Sequence, residues 1–159
     1  HLYISSRETH QVLRYDGETV VTIADLADLA PASLGDMVID DAGRAYIGCQ
    51  ASSGGVIIRL DPDDGATVVA EDLDFPNCMA ITPDRGTLIV AESTGRRLTA
   101  LSIGDDGRLS DRRVFAAGLD GQGRYRGTLQ STGLRPQFAT ALADRGFPLP
   151  QPAAAPARW

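Results

Sequence analysis

An all-β fold built from a repeated four-strand unit is what this sequence predicts, and three observations predict it. Short apolar, β-branched runs of four to six residues follow one another from Val12 to Ala116. Between them sit Asp/Gly clusters: Asp16-Gly17, Asp41-Ala42-Gly43, Asp63-Asp64-Gly65, Pro83-Asp84-Arg85-Gly86 and Asp105-Asp106-Gly107. Gly and Asp tolerate the positive φ of tight hairpins, so such clusters between strand-like runs are β-turns. The runs also repeat, with Met37 answering to Met79 at an offset of 42 residues and Arg14 to Arg59 at 45. Four strands recurring every ~40–45 residues describe a propeller blade.

The elements follow in order, with strands lettered A (innermost) to D. Leu2–Ser5, Val12–Tyr15 and Thr19–Ile23 supply strands B, C and D of a blade, residues 1–23, whose A strand is expected upstream of His1. Ile23–Leu29 is the only helix-like stretch, and it is short. A full blade is expected over residues 36–71, from Met37–Asp40, Ala45–Gly48, Val56–Leu60 and Thr67–Ala70. A second is expected over 77–116, from Cys78–Ile81, Thr87–Ala91, Leu98–Ile103 and Arg113–Ala116. Residues 1–119 therefore read as a partial propeller of about two and a half blades, a fragment of a longer chain.

After Gly118 the pattern stops. Residues 120–159 are rich in Ala, Arg and Pro, and Pro150, Pro152 and Pro156 forbid regular ladders or a helix interior. That composition predicts an irregular, disordered tail, with Leu134–Leu142 its one helix candidate.

Charge narrows the function classes. Residues 1–119 hold 19 acids against 10 arginines, giving −9; residues 120–159 hold two acids against five arginines, giving +3; the sum is −6 and there is no Lys. An acidic body argues against a nucleic-acid partner, which needs clustered cations. No apolar run approaches the ~18 residues of a membrane span, so no membrane is expected to be crossed. Cys49 and Cys78 have neither C-x-x-C spacing nor a nearby His, and are expected to be free thiols of a cytoplasmic protein.

One stretch carries more than a fold. The run Phe75-Pro76-Asn77-Cys78-Met79-Ala80-Ile81-Thr82-Pro83-Asp84, continuing Thr87-Leu88-Ile89-Val90-Ala91-Glu92-Ser93, resembles the pattern of the regucalcin/gluconolactonase family, the senescence-marker-protein type of β-propeller. Gly35-Asp36-Met37-Val38-Ile39-Asp40, with Gly43-Arg44-Ala45-Tyr46-Ile47-Gly48, is similar to that family's N-D strand pair. The resemblance covers about residues 1–119.

It implies a six-bladed propeller that hydrolyses sugar lactones and similar esters with one divalent cation, calcium or zinc, at the mouth of its channel. The metal's protein ligands in that family are a Glu of the first blade, the Asn of a P-N-G turn and an Asp of a later P-D-G turn. Asn77 matches the Asn; the other two positions have no match, and the catalytic acid/base remains unassigned. Gly35 stands where the family places an Asn, Cys78 replaces a Gly, and Asp36 is the candidate substrate contact. The expected partner is a small lactone or ester. Hydrolysis is expected of the complete parent, and not of this chain alone. A non-catalytic propeller that binds or scaffolds, and a strictosidine-synthase-like propeller, are the alternatives.

The remaining chemistry-bearing residues have plainer readings. Asp61-Pro62-Asp63-Asp64-Gly65 lacks the alternating acids of a calcium loop and is a hairpin turn. Without a G-x-S-x-G, His1 and His10 are not partners of a serine nucleophile. Glu92 and Ser93 are expected to be solvated or at a blade rim, and Arg96, Arg97, Arg112 and Arg113 on solvent-facing edges. Apolar faces carrying Leu88, Val90, Leu98 and Leu101 are expected to be left without partners and to promote association.

Overall fold

The computed structural model describes residues 2–63 and 65–117; the expected tail and His1 lie outside the described residues. Eleven strands run through them: β1 (Leu2–Ser6), β2 (Gln11–Tyr15), β3 (Val20–Asp25), β4 (Leu34–Ile39), β5 (Ala45–Cys49), β6 (Gly55–Asp61), β7 (Gly65–Leu73), β8 (Pro76–Ile81), β9 (Thr87–Glu92), β10 (Arg97–Ile103) and β11 (Leu109–Ala117). They form three antiparallel meanders, β1-β2-β3, β4-β5-β6-β7 and β8-β9-β10-β11.

The Asp/Gly clusters close the hairpins by the same local device. Asp16 Oδ1 accepts from the Glu18 and Thr19 amides at 2.9 Å, and Asp40 Oδ1 from the Ala42 and Arg44 amides at 3.0 and 2.9 Å. Asp106 Oδ1 accepts from the Arg108 amide at 3.0 Å, and Gly43 and Gly107 take φ of 81° and 76° beside these turns. A short acceptor two residues from an amide mimics a backbone turn and fixes it before any tertiary contact forms.

Strand alternation then builds the cores. In β9, Leu88 and Val90 face the middle sheet and pack with Tyr46, Ile57, Leu73, Met79 and Leu101. On the other face of the middle sheet, Ala45, Ile47, Cys49, Val56 and Ile58 pack with Val12, Leu26 and Leu34. β5 is buried at every position because sheets cover both of its faces. A third cluster, Cys78, Ile89, Ala91, Leu98, Ala100 and Phe115, occupies the far face of the last sheet.

The described residues are all-β, as expected. In the helix-like stretch Ile23–Leu29, β3 runs on to Asp25, whose carboxylate accepts from the Ala27 amide, and a single turn follows, closed by Ala30 N to Leu26 O at 2.9 Å. The Val20–Asp25 ladder with β2 and the burial of Leu26 outweigh the weak helical preference of so short a segment. One expectation fails here: the faces carrying Leu88, Val90, Leu98 and Leu101 are buried, none more than 3% exposed. Most of the exposed large apolar residues lie instead on the first sheet, at Leu2, Tyr3, Ile4, Tyr15, Val20, Val21 and Ile23, with Ile39 and Val114 exposed on the other two.

Candidate functional site

The inner strands β4 and β8 begin at the end of their sheets where their neighbours β5 and β9 finish: Leu34 pairs with Cys49, and Pro76 with Glu92. Antiparallel pairing therefore gathers the first residues of inner strands with the residues that follow second strands. The inner strands β4 and β8 also touch one another, and β1 of the first sheet touches β4. Both lose register at their heads, between Leu34 and Met37 and between Pro76 and Met79. Gly35 and Asp36 lie in the first break, Asn77 and Cys78 in the second, and such a break re-aims side chains away from the ladder.

A directed chain of hydrogen bonds crosses these heads. Arg7 donates through NH1 to Gln50 Oε1 at 2.9 Å, Gln50 donates through Nε2 to Asn77 Oδ1 at 2.8 Å, and Asn77 Nδ2 reaches Ser93 Oγ at 3.4 Å. A guanidinium can only donate, so it fixes the Gln50 oxygen toward itself and the Gln50 amide nitrogen toward Asn77. That in turn points the Asn77 oxygen at Gln50 and its nitrogen at Ser93. Ser5 donates to the Gly35 carbonyl at 2.6 Å and ties the first sheet to the second.

Gly35 makes this possible. A Cβ there would lie 2.4 Å from Gln50 Nε2 and 2.7 Å from its Cδ, so the glutamine occupies the space above the missing side chain. Sequence reasoning picked out Asn77 and Asp36 and missed Gln50. The available signal was its position, one residue beyond a second strand and opposite the glycine. Asp36 is half-buried on β4 beside that glycine, and Cys78 holds the equivalent place in β8.

Behind Asn77 lies a buried ion cluster. Glu92 is 1% exposed and Ser93 4%, so neither is at a solvated rim. The Glu92 carboxylate takes a two-pronged bond from Arg97, Nε to Oε1 at 2.9 Å and NH2 to Oε2 at 2.6 Å. It also accepts from the Thr99 hydroxyl and from the Asp74 amide at 2.7 Å. Arg97 bonds Asp74 Oδ2 as well, at 2.9 Å. Arg97 is thus an inward-turned partner and no solvent-facing edge. β9 is the second strand of its sheet, and the residue at its end points into the seam with the preceding sheet. Burial pushes the Glu92 carboxyl up, but the bonds from Arg97, Thr99 and the Asp74 amide outweigh it and hold it below the ordinary range. The Glu92 bonds raise Arg97 in turn, against its own burial.

Both cysteines are buried and neither is in a disulfide. Cys49 donates to the Ala32 carbonyl at 2.7 Å, and burial raises its pKa.

A hard cation wants about six to eight oxygen donors with carboxylates among them. Among the described residues no group of three or more His, Cys, Asp or Glu side chains comes together in a way that could hold a metal. Asn77 Oδ1 accepts a hydrogen bond from Gln50, and a carboxamide oxygen is a donor type that hard cations take. It fits one oxygen donor of a cation site; the described residues do not fit a whole one.

Comparison with known proteins adds to the geometry. The model of the family described as SMP-30/Gluconolactonase/LRE-like region matches residues 1–130. No curated protein sequence matches the chain. Among solved structures, a gluconolactonase from Xanthomonas campestris superposes with a TM-score of 0.59 at 26% identity, over 71% of this chain and 44% of its own. A luciferin-regenerating enzyme superposes with a TM-score of 0.57 at 17% identity, over 67% of this chain and 40% of its own, which speaks for the fold alone. The chain thus spans less than half the length of either structure. The fold is all-β and of propeller type.

Proposed function

The chain belongs to the SMP-30/gluconolactonase/LRE-like family, and from that premise we propose that it supplies part of the channel mouth of a hydrolase acting on sugar lactones or related esters. One observation carries the proposal. Asn77 stands in the register break at the head of an inner strand, its carboxamide oriented by Arg7 and Gln50 on one side and by Ser93 on the other. A carboxamide oxygen so held is an oxygen donor of fixed direction, suited to a divalent cation, calcium or zinc, of the whole protein. A cation held in the whole protein would supply Lewis-acid chemistry toward a lactone or ester carbonyl. Asn77 would contribute one ligand, and Gln50 and Ser93 would keep it aimed. Asp36, half-buried in the neighbouring break, would be the residue that contacts a hydroxyl-bearing substrate.

The test is lactone hydrolysis, followed by acid release, in the whole protein that carries these residues. Asn77→Ala is expected to remove the metal-dependent rate by about 10-fold or more, the scale seen when groups that orient or hold a catalytic metal are removed. Full metal-dependent activity in that variant would withdraw the assignment.

A second reading, a propeller that binds without catalysis, draws on the Gln50 bond already made to the Asn77 oxygen. Lactone binding without turnover in the whole protein, unchanged by chelator, would favour it.

A further inference from the structure

Directly before Asn77 the chain passes from the second sheet to the third through only two residues, Asp74 and Phe75, between β7 and β8. The backbone there is strained. Asp72 has φ 55° and Phe75 φ 58°, left-handed values that a bulky side chain such as phenylalanine rarely adopts. Such conformations persist only where the surroundings over-determine them.

Hydrogen bonds hold this connection from several sides. Arg112 donates to the Glu71 carbonyl at 3.0 Å and to the Asp72 carbonyl at 2.8 Å. Glu92 accepts from the Asp74 amide, and Arg97 holds the Asp74 carboxylate. The Phe75 amide donates to the Ala51 carbonyl at 2.8 Å, and the Phe75 carbonyl accepts from the Ser93 amide at 3.0 Å. Ala51 follows Gln50 and Ser93 follows Glu92, so the partners of this connection are chain neighbours of the groups that orient Asn77. Arg112 NH2 also lies 3.5 Å from Glu92 Oε1, which closes the set into one cluster.

We infer that Glu92, with Arg97 and Arg112, is a positioning clamp: it holds the Asp74–Phe75 connection, with its left-handed Phe75, in place and thereby sets where Asn77 is presented. The register break is why a clamp is needed. Asn77 lies between the paired residues Pro76 and Met79 and takes its place from the preceding connection instead of from the ladder. A buried carboxylate is expensive unless paired and hydrogen-bonded. Here every bond it makes is to the connection or to the two arginines that grip it, apart from Thr99. The inference rests on the reading of Asn77 as the presented ligand, but the clamp itself is tested without cation or substrate.

The experiment is amide hydrogen exchange and side-chain carboxamide NMR on the full chain, comparing wild type with Glu92→Gln and Arg112→Gln. The Asn77 carboxamide pair is identified as the pair lost in Asn77→Asp. Glu92→Gln is expected to speed exchange at the Asp74 and Phe75 amides by about tenfold or more, the equivalent of one charge-assisted hydrogen bond, and to shift the Asn77 pair. The Ile57 and Ile58 amides of β6 should keep their rates. Arg112→Gln, on a half-exposed residue, should give the same pattern more weakly and covers the case in which Glu92→Gln does not fold. Unchanged Asp74, Phe75 and Asn77 signals in the folded variants would overturn the clamp, as would equal acceleration across β6. A clamp confirmed in this way beside an Asn77→Ala protein that keeps its activity would remove the proposed function and leave the clamp standing.

Discussion

Gly55→Ala perturbs the head of β8 from behind. A Cβ at Gly55 would lie 2.5 Å from Pro76 Cδ and 2.9 Å from the carbonyl oxygens of Cys49 and Leu73. Carbon atoms in contact sit ~3.5–4.0 Å apart, so the Pro76 ring must retreat by about 1 Å. The two oxygens cannot yield, because they end β5 and β7. Over-packing of this kind costs about 1–3 kcal/mol, and the smaller entropy of the unfolded chain offsets about 0.4–1 kcal/mol. The net loss lies between about 0 and 2.6 kcal/mol, with a middle value of about 1.3 kcal/mol. Urea unfolding followed by circular dichroism at one fixed protein concentration should show the midpoint lowered by roughly 0.5–1 M. Gly86→Ala is the control: its Cβ would meet only Asp84 Oδ1 at 3.8 Å and Cγ at 3.9 Å, which is ordinary contact. That variant should gain about 0.4–1 kcal/mol. A Gly55→Ala midpoint at or above that of Gly86→Ala would refute the packing argument.

The remaining expectations concern acid and metal. The Glu92 carboxyl is held below its ordinary value of 4.5, so its contribution to stability is present above that value and is lost as the pH falls through the lower, folded one. Between about pH 5 and pH 3, urea midpoints of the wild type should fall more steeply than those of Glu92→Gln; coincident slopes would show that Glu92 is not so held. The 159-residue chain by itself should bind calcium only weakly, because one carboxamide oxygen cannot replace the several donors a hard cation needs. Micromolar binding by isothermal titration would mean that further ligands gather around Asn77.

The strands and turns of this protein were legible in its sequence because their causes are local. Asp16, Asp40 and Asp106 close turns with amides two to four residues away, and the alternation in Thr87–Glu92 separates its two faces without reference to any other strand. Asn77 is marked by a motif, and its position at the head of an inner strand is what the structure adds. Burial and partners were not legible, since they depend on which sheet lies opposite. Glu92 ends an apolar run and reads as a rim residue, yet the seam between two sheets buries it against Arg97, Arg112 and the Asp74 amide. Gln50 has no motif at all; it matters because Gly35, fifteen positions earlier, leaves it room to reach Asn77. Leu88 and Leu101 were read as exposed because a sequence shows that a face is apolar without showing what covers it, and here the middle sheet does. Hydrogen bonds within a turn are set by a few neighbouring dihedrals, whereas desolvation and long-range pairing exist only once distant segments have packed.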